Sequence, residues 1–213
     1  ERLGVRHCIA VCNGTVGLEI AVRALELTGE VIVPAFTFIA TAHAVRWQRL
    51  TPVFCDVHPD THLINPESAR SLITPKTSAI LAVNLWGTPC DLDSLQALAD
   101  EHQLNLLYDS SHAFNNEFGG LKLGNFGNAE VFSFHATKFI NSFEGGVVTT
   151  NDDALAKTMR LIRNFGFSDY DEVSHLGTNG KMTEVCAAMG LTSLESIDRI
   201  TAHNRSNHEL YSD

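Results

Sequence analysis

The sequence predicts an α/β fold: a three-layer α/β/α domain built on a mainly parallel sheet. Three observations carry that expectation. Short apolar runs of strand length alternate with segments of helical period along most of the chain, as in a sheet covered on both faces by crossover helices. With 213 residues, 44% of them apolar, the chain can bury one large core. No tandem repeat, low-complexity tract or linker interrupts it, so residues 1–213 read as a single domain.

The elements follow in order. Asn13-Gly14-Thr15 precedes a run in which Val16, Ile20, Ala24 and Leu27 recur at helical spacing. Asparagine is a capping residue, and the unpaired N–H groups and positive dipole end of a helix start can hold a phosphate without a lysine. The P-loop pattern is absent. Residues 31–33, stopped by Pro34, form a strand, and Phe36-Thr37-Phe38 leads into a helix carrying Ala40, Ala44, Val45 and Trp47. Strands at 52–56, 79–84 and 104–109 alternate with helices at 66–73 and 93–102, the latter turning Leu95, Leu98 and Ala99 inward. A strand at 131–134, a strand at 147–150 and a helix at 154–162 follow. After a turn-rich stretch at 177–181, one helical pattern spans 182–200, with Met182, Val185, Met189, Leu194 and Ile197 as expected core residues.

Chemistry concentrates in residues 130–146, EVFSFHATKFINSFEGG. Lys138 lies just past a strand end. Ligands of open α/β sheets gather outside the carboxyl ends of their strands, so an amine delivered there is a candidate Schiff-base lysine. The plainer alternative is a surface lysine closing a turn. Asp109 ends the fourth strand of the series, where a carboxylate can keep a pyridine nitrogen protonated; a simple turn-forming aspartate is the alternative. Taken together, a helix start for phosphate, an aromatic for a ring, Asp109 for a ring nitrogen and Lys138 for an aldehyde specify pyridoxal 5′-phosphate (PLP).

Composition narrows the function further. The 25 acidic against 15 basic side chains give a formal charge of −10, which argues against a broad nucleic-acid or anionic-membrane surface. Cys8, Cys12, Cys55, Cys90 and Cys186 form no C-x-x-C pair or zinc-like spacing, so no metal site is expected. They read as reduced, mostly buried thiols of a cytoplasmic protein. No leader-like segment opens the chain, and the longest apolar stretch, 31–45, is too short for a membrane span and contains Pro34 and His43. The start at Glu1 and the end within a polar helical pattern read as a fragment.

Six motifs, NGTVGLEIAVRAL, VIVPAFTFIATAHAV, PVFCDVHPDTHLI, YDSSHAF, FSFHATKFINSFEGGVVTTND and NGKMTEVCAAMGL, occur in order between about residues 12 and 197. In them the chain resembles the DegT/StrS-type sugar aminotransferases, PLP enzymes of the aspartate-aminotransferase fold (fold type I). The resemblance implies that Lys138 holds the cofactor covalently, that Asp109 pairs with the pyridine nitrogen and that Phe38 stacks on the ring. It places His112 near the ring hydroxyl and makes Gly14, Thr15 and Ser133 the phosphate cradle. Asn179 would reach the phosphate of a neighbouring subunit, so a homodimer with shared active sites is implied. His135 receives no role.

Relatives that dehydrate sugars carry a histidine in place of the lysine, so Lys138 implies amino transfer. The implied reaction moves an amino group from an amino acid, glutamate, to a keto group of a nucleotide-linked deoxysugar. Other fold type I chemistry, such as elimination, is the nearest alternative. A non-catalytic binding or regulatory protein of the same fold, or an inactive fragment, is the alternative from another class. Such enzymes continue into a small C-terminal domain. The resemblance therefore implies that 1–213 is a large domain shortened at both ends, with 194–213 beginning the connection to the missing part.

Overall fold

A computed structural model describes residues 1–212 of the chain. Eleven strands and seven α-helices alternate in the described residues: β1 (His7–Val11), α1 (Gly14–Ala24), β2 (Glu30–Pro34), α2 (Ala40–Trp47), β3 (Thr51–Cys55), α3 (Pro66–Ser71) and β4 (Thr77–Val83). A 3-10 turn (Leu85–Gly87) then leads to α4 (Leu92–His102), β5 (Asn105–Asp109), the short strands β6 (Glu117–Phe118) and β7 (Leu121–Lys122), and β8 (Ala129–Ser133). The chain continues through β9 (Gly146–Thr150), α5 (Asp153–Arg163), the strands β10 (Phe167–Asp169) and β11 (Glu172–Val173), α6 (Glu184–Glu195) and α7 (Ile197–Ser212).

Seven strands form one sheet in the order β1-β9-β8-β5-β4-β2-β3. From β8 to β3 every neighbouring pair is parallel, while β9 runs antiparallel to both β8 and β1. The mainly parallel sheet is therefore as expected. Two antiparallel hairpins, β6-β7 and β10-β11, lie outside it.

Side-chain alternation along each central strand divides the interior into two cores. Ile32, Ile80, Leu106, Tyr108 and Phe132 point to one face, where Ala69 of α3 and Leu92, Leu95, Leu98 and Ala99 of α4 cover them. Val31, Val33, Ala79, Leu81, Leu107 and Val131 point to the other, beneath Leu18, Ile20 and Val22 of α1, Ala44 and Val45 of α2, and Leu155, Ala156 and Met159 of α5. Strands buried on both faces read as continuous apolar runs, and the three-layer arrangement follows from covering both. Side-chain caps set several helix starts: Asn13 accepts from the Val16 N–H, Asp91 from Ser94, Asp152 from Ala154 and Leu155, and Thr183 from Cys186.

Four expectations need correction. β1 was not foreseen: His7–Val11 forms a strand because β9 offers it an antiparallel edge, from His7 opposite Thr150 to Val11 opposite Gly146. The pattern at 182–200 is two helices, parted at Ser196, whose N–H turns back to the carbonyls of Ser193 and Leu194. Val185 is 69% exposed rather than core; the apolar residues of α6 are spread around the helix, and its buried residues are Gly190 and Ser193. Of the five thiols only Cys55 and Cys90 are buried; Cys8 is exposed, and Cys12 and Cys186 are partly so.

Candidate active site

The end of β1 lies opposite Gly146, and Gly146 lies opposite Ser133, so the chain enters α1 at the same sheet edge where β8 releases the Lys138 loop. The same edge receives the ends of β4 and β5, with Val83 beside Asp109 and Asp109 beside Val131. This convergence frames an open cavity of about 720 Å³. Seven of the eight residues singled out in the sequence line it: Gly14, Thr15, Phe38, Asp109, His112, Ser133 and Lys138. The eighth, Asn179, is exposed and does not line the cavity of its own chain.

Each side chain arrives by a local route. Asn13 caps Val16 at 2.8 Å, so the N–H groups of Gly14 and Thr15 at the helix start have no intrahelical acceptor. Gly14 packs directly on Ser133: a β-carbon there would stand 3.1 Å from Ser133 Cβ. Lys138 is half-buried in a turn closed by its own N–H to the His135 carbonyl at 2.8 Å. Phe38, just before α2, is 71% exposed, an aromatic ring free to receive a flat partner.

Asp109 is 5% exposed and heavily coordinated. The Thr41 hydroxyl donates to its Oδ2 at 2.8 Å, while the N–H and hydroxyl of Ser111 donate to Oδ1 at 3.2 and 2.6 Å. Neither Thr41 nor Ser111 was singled out in the sequence. Ser111, two residues on from a strand-ending aspartate, follows a local turn pattern that could have revealed it. Thr41, 68 residues away, carries no such signal.

His112 takes the Trp86 N–H on Nδ1 at 3.2 Å, which leaves the proton of its neutral ring on Nε2. Its pKa is depressed, chiefly by burial and further by the charge of Lys138; the Asp109 carboxylate works in the opposite direction. The neutral imidazole is therefore favoured near the two charged groups. His135 also lines the cavity; its Nδ1 is 2.9 Å from the Thr137 hydroxyl and its Nε2 is 3.5 Å from Glu144.

Behind the site lies a buried polar chain. Asn84 donates to the Ser110 hydroxyl, Ser110 donates to Glu130 Oε2, and the N–H groups of Gly124 and Phe126 donate to Oε1, all between 2.6 and 2.9 Å. Burial pushes the Glu130 carboxyl up to about 7 despite these donors. No cluster of three or more His, Cys, Asp or Glu suited to a metal ion occurs among the described residues, and none of their helices is long and apolar enough to cross a membrane.

Known proteins share this architecture. The dTDP-4-amino-4,6-dideoxy-D-glucose transaminase of Shigella dysenteriae is 39% identical over 211 residues, which cover 99% of this chain and 57% of that protein. The crystal structure of DesI in the presence of its TDP-sugar product superimposes with a TM-score of 0.93 at 50% identity, covering 98% of this chain and 53% of DesI. The PLP form of the putative sugar aminotransferase Spr1654 from Streptococcus pneumoniae gives a TM-score of 0.87 at 25% identity, covering 93% of this chain and 57% of that one. The chain thus spans a little over half the length of each of these proteins. With residues 1–213 all matched by the DegT/DnrJ/EryC1/StrS aminotransferase family, the chain belongs to that family.

Proposed function

We propose that this chain is the large domain of a PLP-dependent aminotransferase that moves an amino group from an amino acid, glutamate, to a keto group of a nucleotide-linked deoxysugar. The observation that carries the reading is the convergence of Lys138, Asp109, Phe38 and the α1 start on one cavity. Relatives named for a dTDP-sugar transaminase and solved with a TDP-sugar product support the acceptor class.

The residues present fit PLP. The cavity has the size of a cofactor pocket, and its lining supplies a helix-start N–H and hydroxyl donors, a carboxylate and an amine. Gly14, Thr15 and Ser133 would hold the phosphate at a helix start, where both the free N–H groups and the dipole favour an anion. Phe38 would cover the ring face, and His112 would serve the ring hydroxyl. Asp109 would keep the ring nitrogen protonated. When bound, PLP supplies an electron sink for the carbon that bears the transferred nitrogen. Lys138 Nζ would anchor the cofactor carbonyl, and as general base and acid it would take the proton from the donor α-carbon and deliver it on the cofactor side.

Asn179 acquires a role in a two-fold dimer, in which each copy lends it to the other's phosphate. Its exposure outside its own cavity supports this, as do the large apolar side chains left exposed at Tyr170, Leu176, Val185 and Leu191. Residues 194–213, most of them in α7, would begin the connection to a small C-terminal domain, and the enzyme would work in the cytoplasm. The test is optical. Protein loaded with PLP should show a visible absorption band that bleaches when glutamate is added; an unchanged spectrum after donor addition would overturn amino transfer.

A further inference from the structure

The Asp109 carboxylate meets a chain of hydroxyls that comes from the far side of the sequence. Thr41, on the buried face of α2, is 0% exposed, and its Oγ1 lies 2.8 Å from Asp109 Oδ2 and 2.9 Å from Thr37 Oγ1. A carboxylate only accepts, so the Thr41 hydroxyl donates to Asp109. Its oxygen is thereby left to accept from Thr37, and the direction of the whole chain is set. Thr37 in turn lines the cavity that also holds Lys138 and Phe38.

A threonine in a helix can satisfy its hydroxyl on a carbonyl one turn back, and a β-branched side chain loses rotamer freedom there. Thr41 instead directs its hydroxyl across the sheet edge to a residue on another element. A hydrogen bond to a charged acceptor is among the stronger neutral-donor contacts, and inside a protein a second donor polarises the first. Ser111 meanwhile occupies Oδ1 with two donors, so the carboxylate is gripped from both ends.

We propose that Thr41, backed by Thr37, is a positioning residue: it holds the Asp109 carboxylate oriented toward the ring nitrogen of the cofactor. This rests on the reading of the cavity as a PLP site. It adds a residue on α2 that does not touch the cofactor but decides how well Asp109 serves it.

The experiment compares affinities for PLP and for its carbocyclic analogue, in which the ring nitrogen is replaced by carbon. Binding is measured by titration of the purified full-length protein, wild type and Thr41→Val, Thr41→Ser and Thr37→Val. The wild type should prefer PLP. Thr41→Val should weaken PLP binding about tenfold while leaving the analogue nearly unchanged, because the lost hydrogen bond acts only through the ring nitrogen. Thr41→Ser should restore the preference. Thr37→Val should reduce it by roughly two- to threefold, and carries the same test should Thr41→Val fail to fold. Equal weakening of both ligands, or an unchanged ratio in both valine variants, would overturn the role of Thr41. A wild type that binds neither ligand would instead overturn the PLP reading itself.

Discussion

Gly14 and Ser133 touch: a β-carbon on Gly14 would lie 3.1 Å from Ser133 Cβ, so the start of α1 rests directly on the end of β8. Gly146 completes the contact from β9, where a β-carbon would lie 2.7 Å from the Phe132 carbonyl oxygen and 2.9 Å from the Gly14 nitrogen. The two glycines should respond differently to alanine. At Gly146 the obstacles are backbone, so Gly146→Ala is expected to cost about 1–3 kcal/mol of stability in a denaturant melt. At Gly14 the tightest contact, 3.1 Å to Ser133 Cβ, is milder and needs a shift of only a few tenths of an ångström. Gly14→Ala should therefore cost less in the same melt while lowering PLP affinity measurably, because the helix start is shifted away from Ser133.

Lys138→Ala should abolish amino transfer but leave PLP binding partly intact. Phosphate and ring contacts do not need the amine, whereas proton transfer at the donor α-carbon does. Product formation followed by chromatography, alongside cofactor retained after dialysis, separates the two effects. Turnover near the wild-type rate in this variant would remove Lys138 from the mechanism.

Glu130 predicts a pH dependence of stability. Its folded-state pKa, about 7, lies above the ordinary value of 4.5, so the folded protein binds a proton that the unfolded chain has released. The stabilisation is full below about pH 4.5 and is lost as pH rises toward 7, up to about 1.4 kcal/mol per pH unit. Glu130→Gln keeps an acceptor for Gly124 and Phe126 but cannot ionise. Denaturant unfolding at a series of pH values should give a wild-type stability that falls across this window relative to the variant. Parallel curves for the two proteins would count against the shift. His112, whose pKa is depressed, contributes with the opposite sign, and does so equally in both proteins.

The shared-site proposal predicts a dimer in solution. Light scattering at micromolar concentration should give twice the chain mass, and Asn179→Ala should weaken PLP binding without changing that mass. A monomer, or an Asn179→Ala dimer with undiminished PLP affinity, would remove Asn179 from the site.

Most of the architecture was legible because its signals are local. Short continuous apolar runs predicted the central strands, and β4 and β5 fall within two residues of the expected bounds because Val83 and Asp109 end apolar runs. Asn13 marks the α1 start because a cap needs only the residue three positions on. The resemblance, in turn, pointed to seven residues that line one cavity. The sequence by itself therefore determined the alternation of central strands and helices, the mainly parallel sheet and the candidate lysine and aspartate.

Tertiary structure decided everything that depends on which strand lies beside which. β1 exists as a strand only because β9 pairs with it, and its weakly patterned HCIAV offers little periodicity on its own. Val185 looks like core but is exposed, since α6 is covered on only a narrow side and apolar character does not say which face a helix buries. The Thr41–Asp109 bond joins residues 68 positions apart, and Glu130 reaches Ser110 across 20. Such partners are set by the strand order β1-β9-β8-β5-β4-β2-β3 and by the burial it imposes. Periodicity and capping act over a few bonds of the chain, whereas the hydrogen bonds that orient Asp109 arise only once the sheet has brought distant strand ends to one edge.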